Sequence, residues 1–549
     1  MRELIRRISI VGMSLGLIAC ANTPATKYAR VFSYAPPPDM STPLAQKISQ
    51  VQTNNGQSGV YPLSDGIEAL AIRTSLIKAA QKTLDIQYHS IHAGNSTTLL
   101  LNETILAARR GVKVRILIDG VDAQGKRSDI DQIAAHPNID IRVYNPVQRF
   151  NGNFITRNAM FLLHLKKLHR RMHHKILIAD GVMGLTGGRN IGDAYFNADS
   201  DDNFSDLDVL LGGAAIKSLE QSFDAYWNSS NTLPVQALHF KRDQAKPEEV
   251  QVYDRKIKAF IDKARAQNNP YLLALERVET TMLPKAVAGM TWADTQILSD
   301  PADKINRNPS SRVIKLPDAV NTRSNDPDTL VFNQVAQMIQ SAKHEVVIAN
   351  AYILLGEAFT QLLESLPKKG VRVVLVTNSL ESNDVPFVMG HYDPYRRRLL
   401  NAGVEWYELR GFPNVRTVRT TGRKRQFYSN GQSRTTLHSK AMVVDNQNAF
   451  VGSMNFDPRS IIWNTELGVF VDSAAFAQRI RQLILNATQP IYSYKVRLES
   501  DGRLIWPSSP APSAYDIRYN INRPLDQEPG SNFRKVEKWL SKLVPETYM

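Results

Sequence analysis

From about residue 60 the chain alternates two kinds of apolar pattern. Stretches such as SDGIEALAIRTSLIKAAQ carry large apolar side chains three and four positions apart, the spacing of one helix face, whereas TLDIQYHSI and GVKVRILIDG are short and almost continuously apolar. Runs of the second kind suit strands buried on both faces, and their alternation with helices predicts α/β units on a largely parallel sheet. The order then recurs. VFNQVAQMIQSAK precedes HEVVIANAYI, GEAFTQLLESLPKKG precedes VRVVLVTNS, and both second strands follow a glycine, Gly111 and Gly370. A shorter strand comes next in each copy, IDIRVYN and then VEWYELR, at an offset of about 260 residues, so one architecture is present twice.

These patterns divide the chain into a first half over residues 60–230 and a second over 326–500. Between them, 231–325 contains the charged helical stretch PEEVQVYDRKIKAFIDKARAQ and the linker-like string NRNPSSRVIKLPDAVNTRSNDP. The segment 501–549 contains SNFRKVEKWLSKLV, which sets Phe533, Val536, Trp539, Leu540 and Leu543 on one helical face. That face is expected to dock onto the body rather than onto a membrane. A length of 549 residues agrees with two or three cores at ~150 residues each.

Residues 1–20 have the form of an export signal. Arg2, Arg6 and Arg7 precede an apolar run from Ile8 to Ala19 that is too short to span a bilayer, and the run ends at Cys20 in the string LIAC. This resembles a bacterial lipoprotein signal, which implies cleavage before Cys20 and acylation of its thiol. Cys20 is the only cysteine, so an intramolecular disulfide is impossible. Residues 21–59, rich in Pro, Thr, Ser, Gln and Asn, are expected to be a flexible tether. The reading is of a membrane-anchored lipoprotein of the cell envelope facing the periplasm, and Ala21, where an aspartate would signal inner-membrane retention, points towards the outer membrane.

A net charge of +15 favours anionic partners, whether lipid surfaces or nucleic acid. Basic residues cluster at 396–398 and again from Arg416 to Arg434. The export signal argues against nucleic acid.

The strongest chemical signal is a repeated motif. HHKILIADGVMGLTGGRN in the first half and HSKAMVVDNQNAFVGSMN in the second share H-x-K-x4-D-x6-G-[GS]-x-N. His173, Lys175, Asp180, Gly187, Gly188 and Asn190 therefore match His438, Lys440, Asp445, Gly452, Ser453 and Asn455. His-x-Lys puts two side chains on one face of a strand, and two such faces brought together would form one pocket.

This residue set suits phosphodiester chemistry. An imidazole with a pKa near ~6.5 can act as nucleophile or as general acid, so one histidine can attack phosphorus while the other protonates the leaving group. The lysines and asparagines can hold the non-bridging oxygens, and the intermediate is a phosphohistidine. The chemistry calls for no metal and no cofactor, and His173 and the neighbouring His174 would face opposite sides of the strand. FSDLDVLLGG and NTELGVFVD align Asp206 with Glu466, carboxylates able to orient an imidazole through its second nitrogen. Asp180 and Asp445, at the ends of their apolar runs, are grouped with this orienting shell but more readily fix the turns that follow them. Gly187, Gly188 and Gly452 would let the backbone approach a phosphate, with Ser453 adding a hydroxyl.

At these residues the chain resembles the phospholipase D superfamily, whose hallmark is the duplicated H-x-K-x4-D motif followed by G-[GS]-x-N. The strings LHRRMHHK, GGRNIGDAYF, QILSDPADK, GSMNFDPRS, NTELGVF and DGRLIW resemble the bacterial cardiolipin synthase C group. The resemblance implies two pseudo-symmetric α/β/α sandwich halves sharing one active site, and His173, Lys175, Asn190, His438, Lys440 and Asn455 as its catalytic residues. It implies a phosphatidyltransferase that passes a phosphatidyl group to phosphatidylglycerol to make cardiolipin. Hydrolysis to phosphatidic acid, a nuclease or phosphodiesterase of the same superfamily, and an inactive membrane-binding scaffold are the alternatives. The tract Phe161 to Leu165 and the basic insertion from Arg416 depart from the family pattern.

Overall fold

The computed structural model describes residues 31–54, 56–125, 127–146, 169–199, 202–238, 247–267, 269–307, 327–354, 356–411, 434–507 and 525–542. Cys20 with its signal, the tract Phe161 to Leu165 and the basic insertion up to residue 433 lie outside these residues.

The first half contributes strands β1 (Ser58–Leu63), β2 (Thr83–Tyr88), β3 (Lys113–Asp119), β4 (Ile139–Tyr144), β5 (Lys175–Ala179), β6 (Met183–Gly187), β7 (Asp202–Ser205), β8 (Asp208–Gly213) and β9 (Thr232–Pro234). Next come β10 (Thr291–Ser299), β11 (Glu345–Asn350), β12 (Arg372–Asn378), β13 (Glu405–Leu409), β14 (Arg434–Leu437), β15 (Lys440–Val444), β16 (Asn448–Gly452), β17 (Leu467–Asp472), β18 (Ser493–Leu498) and β19 (Leu504–Ile505). Following the pairings from one edge, the first half runs β9-β4-β3-β2-β5-β6-β8-β1, and the second runs β18-β13-β12-β11-β15-β16-β17-β10. Each position in one half has its counterpart in the other, and the halves join edge to edge where Ser58, Gly59 and Val60 pair with Ala293, Trp292 and Thr291.

The expected α/β halves are present, but the sheet is mixed rather than largely parallel. Only β2-β3-β4 and β11-β12-β13 are parallel within it. Helices such as Asn95–Arg109 and Gly356–Lys368 supply the crossovers those strands need. Elsewhere the chain turns back within a few residues, at Asp180-Gly181 and Asp445-Asn446, all with positive φ, and tight turns of this kind produce antiparallel neighbours.

Helices such as Gly66–Ala79 and Leu330–Gln340 cover the outer faces over separate cores. A third core crosses between the halves, with Ile176, Ile178 and Val209 packed in one cluster with Val347, Val374 and Val443. Burial at roughly 25 cal/mol per Å² of apolar surface therefore holds the halves together as well as each half individually.

Two domain boundaries differ from expectation, as does the orientation in which the last helix docks. The expected tether contains the helix Pro43–Val51, whose Leu44, Ala45 and Ile48 are buried in the first core, so this part of the chain is packed against the body. The region expected to separate the halves contains β10, which pairs with β17, so the sheet of the second half begins at Thr291. The helix Asn532–Ser541 docks as expected but in the opposite orientation: Lys538 and Ser541 are buried, while Phe533, Val536, Trp539 and Leu540 face outwards. Leu543 lies outside the described residues.

The basic run 396–398 lies on the helix Tyr392–Asn401. Arg396 is buried on a helix between Glu408 and Glu528, and Arg398 is paired with Glu357 and Glu364, so both charges are matched within the fold. Among the described residues no helix is long and apolar enough to cross a membrane.

Candidate active site

β5 and β15 begin at the two motif lysines, so each histidine lies two residues ahead of a strand at the same end of the sheet. Lys175 and Lys440 are fully buried, and each donates to the carbonyl of its own histidine, Lys175 at 2.7 Å. His173 and His438 border one cavity of about 590 Å³, which Asn190 and Asn455 also line. Asn190 Nδ2 donates to Tyr195 Oη at 2.9 Å.

The carboxylates cross between the halves. His173 Nδ1 lies 2.9 Å from Glu466 Oε2, and His438 Nδ1 lies 2.6 Å from Asp206 Oδ2. Each imidazole is thus oriented by the other half, and its Nε2 is left for the cavity. Backbone contacts enforce the exchange. β7 pairs in parallel with β14, bringing Ser205 opposite Leu437, and His438 N donates to Ser205 O at 2.8 Å. In the counterpart position, His173 N donates to Thr465 O at 3.0 Å, and Thr465 N donates to Arg171 O at 2.9 Å.

The two carboxylates differ electrically. Burial pushes Glu466 up to about 8, against the pull of Lys175 and the Ser453 hydroxyl, so its protonated form is favoured at neutral pH. Burial works in the same direction on Asp206, but the charge and hydrogen bond of His438, together with Lys440 and Arg189, hold it below the usual carboxylate range. Burial and Lys175 drive His173 well below its ordinary value, and burial with Lys440 lowers His438. Burial brings Lys175 down to about 7 and also lowers Lys440. Burial thus disfavours the imidazolium at both histidines, and the charged Asp206 opposes that only at His438. An entering phosphodiester adds the negative charge that favours protonation of one of them.

Two groups of expected residues fall elsewhere. Asp180 and Asp445 do not belong to the orienting shell: they sit at the far ends of β5 and β15, beyond a five-residue strand that spans roughly 16 Å. Asp180 there accepts backbone N–H groups of Gln81, Lys82 and Thr83 at 2.7–3.1 Å, and Asp445 accepts those of Lys343, His344 and Glu345 at 2.7–2.9 Å. They fasten the turn before β2 and β11. Asp180→Ala is expected to lower folding stability by about 2–3 kcal/mol in urea unfolding, while kcat of the folded fraction stays within about threefold of wild type.

Nor do Gly187, Gly188, Gly452 and Ser453 cradle a phosphate, since none lines the cavity. A Cβ on Gly188 would run into Asp206, one on Gly187 into Asp208, and one on Gly452 into the carbonyl of Leu467. Ser453 Oγ donates to Glu466 Oε2 at 2.5 Å and accepts from Leu467 N at 3.0 Å. Gly188 thus makes room for Asp206 and Ser453 holds Glu466, while Gly187 and Gly452 allow close packing against the neighbouring strand.

His174 is buried on the side away from the cavity, with Nδ1 3.2 Å from Gln87 Nε2 and its ring centroid 4.4 Å from that of Tyr226. The cavity wall also contains residues that the motif did not single out. His89 meets His173 edge-on at 4.7 Å, Tyr195 and Phe204 lie 5.2 Å from His438, and Arg434 and Arg459 line the cavity as well. Tyr195 and Arg459 fall within GGRNIGDAYF and GSMNFDPRS, where proximity to a motif was the available signal.

A family model described as "Cardiolipin synthase, PLD-like domain" matches residues 74–227 and again 335–487. The chain belongs to the phospholipase D superfamily. It is 31% identical over 498 residues to cardiolipin synthase C of Escherichia coli (strain K12), a match covering 90% of this chain and 96% of that protein. An uncharacterized protein of Helicobacter pylori (strain ATCC 700392 / 26695) is 29% identical over 509 residues, covering 92% of each chain. Among solved structures, phosphatidylserine synthase from Haemophilus influenzae Rd KW20 matches with a TM-score of 0.50 at 12% identity, covering 81% of this chain and 91% of that one, a likeness of fold. The two matched segments of the superfamily model each contain one His-x-Lys pair and one of the crossing carboxylates.

Proposed function

We propose that the protein is a phosphatidyltransferase that makes cardiolipin from phosphatidylglycerol through a phosphohistidine. The reading is carried by the two imidazoles, each backed by a carboxylate of the opposite half and both bordering one cavity. In the first step Nε2 of one histidine bonds to phosphorus, the phosphorus–oxygen bond to the headgroup alcohol breaks, and the other histidine gives that oxygen its proton. In the second step the same histidine takes the proton of an incoming hydroxyl, the hydroxyl oxygen bonds to phosphorus, and the phosphorus–nitrogen bond breaks. Asn190 and Asn455, which line the cavity, stabilise the charge that develops on the non-bridging oxygens, and Lys175 and Lys440, buried against the carbonyls of the two histidines, add positive potential.

Phosphatidylglycerol as acceptor brings a phosphate of its own. Arg434, held by Asp202 at 2.6 Å and 3.0 Å, and Arg459 also line the cavity and offer cationic partners for it. Similarity to cardiolipin synthase C supports the same acceptor. Acylation at Cys20, with anchoring in the envelope and facing the periplasm, would put the enzyme at its substrate.

Incubating the purified protein with phosphatidylglycerol vesicles and analysing the lipids by mass spectrometry tests the proposal. Cardiolipin with release of glycerol is the expected result. Phosphatidic acid alone would make the protein a hydrolase and overturn transfer.

A further inference from the structure

The helix Asn532–Ser541 is amphipathic, yet it docks through its polar side. At about 100° per residue, Arg534, Lys538 and Ser541 share one face, while Phe533, Val536, Trp539 and Leu540 share the opposite one. Lys538 Nζ reaches Asp393 at 3.0 Å and also pairs with Glu528, and Arg534 donates to the carbonyls of Leu380 and Asn383. Ser541 is buried against Gly390 so closely that no Cβ would fit there. These contacts fix the orientation. The apolar side chains are left 71%, 53%, 61% and 42% exposed, in the order Phe533, Val536, Trp539, Leu540.

A solvent-facing stripe of this kind calls for an occupant. The platform under the helix is also a wall of the reaction cavity: the helix packs on Pro386–His391, and Asp384, Val385 and Val388 line the cavity. Val385, itself 42% exposed, is a further apolar side chain at the cavity wall. Lys535 and Lys542 border the stripe on one side and Glu537 on the other. Aromatic and aliphatic residues on one side with cations beside them suit a helix lying in the headgroup region of an anionic bilayer. A second copy of the chain fits less well, because the four side chains expose on the order of 400 Å², about half the ~800 Å² per partner of a stable protein interface.

We infer that this helix inserts its Phe533/Trp539 face into the surface of an anionic phospholipid bilayer and so holds the cavity mouth against the lipid. The inference rests on the substrate being a membrane lipid, as proposed above. Insertion lowers the distance a phosphatidyl group must travel out of the bilayer, while the body stays in water.

The test uses the full chain carrying Cys20→Ser, which removes any acyl anchor, with and without Phe533→Ser and Trp539→Ser together. Flotation with vesicles of phosphatidylglycerol and phosphatidylcholine is expected to show binding weakened by about tenfold or more in the double variant. Turnover of those vesicles should fall with it, while turnover of short-chain phosphatidylglycerol below its micelle concentration stays unchanged. Unaltered vesicle binding overturns the inference, as does equal loss on vesicles and monomers, which would make the helix only a prop for the cavity wall. A dimer in solution that the double variant dissociates also overturns it, because the face would then belong to a second copy.

Should the double variant fail to fold, Val536→Cys in the Cys20→Ser chain, labelled with nitrobenzoxadiazole, gives a second reading. Blue-shifted, stronger emission on adding anionic vesicles is expected, and an unchanged spectrum rejects insertion. If neither vesicles nor monomers are turned over by the Cys20→Ser chain, the proposed reaction fails, while flotation and the label still judge the helix.

Discussion

Replacing either cavity histidine, by His173→Ala or His438→Ala, is expected to lower kcat by about 10⁴- to 10⁶-fold, with the double variant little worse than either single one. The two groups act as a unit. Without the attacking imidazole the phosphohistidine cannot form, and without its partner the headgroup oxygen must leave as an unprotonated alkoxide. Both side chains border the same cavity and each is backed by a carboxylate of the opposite half, whereas Nδ1 of His89 faces the carbonyl of Met172 at 3.0 Å. The measurement is release of glycerol from phosphatidylglycerol vesicles over time. Near wild-type turnover in either variant would rule out the two-histidine route, and isolation of a phosphorylated peptide from the active variant pool would identify the attacking residue.

The second large effect concerns the carboxylates, and it is expected to be unequal. Asp206 is held in its charged form beside His438, so Asp206→Asn removes a charge that stabilises the imidazolium, and a loss of about 10³- to 10⁴-fold in kcat should follow. Glu466, pushed up to about 8, presents a neutral carboxyl group to His173 near pH 7, and Glu466→Gln replaces it with a neutral amide of the same shape. A loss of about tenfold or less is expected there. Steady-state turnover of the two variants at pH 7 is the check. Equal losses would mean that both carboxylates work as charges and that the asymmetry of the two halves has no catalytic consequence.

Much of the fold was legible because local patterns carry it. Continuous apolar runs became β2, β3, β11 and β12, and the matching order of motifs foretold two equivalent halves. The mixed character of the sheet was less visible, because direction depends on whether a helix or a short turn joins two strands. Sequence spacing also brought Asp180 and Asp445 into the same motif as the histidines, although an extended strand carries them to the opposite end of the sheet. Composition suggested a tether where the helix Pro43–Val51 packs, since three buried side chains, Leu44, Ala45 and Ile48, are a weak signal among polar neighbours. The last helix was recognisable as amphipathic, but its orientation depended on ion pairs to Asp393 and Glu528 that no periodicity encodes.

By itself the amino-acid sequence determined the duplicated His-x-Lys motif, the pair of aligned carboxylates and the chemistry those residue types permit, because these depend on identity and short-range spacing. Only the tertiary structure decided which carboxylate serves which histidine. The contacts Glu466–His173 and Asp206–His438 join residues 293 and 232 positions apart, across the seam between the halves. Spacing along a strand cannot specify such pairings, which arise when the shared apolar core brings the two sheets together and the β7–β14 exchange sets their register.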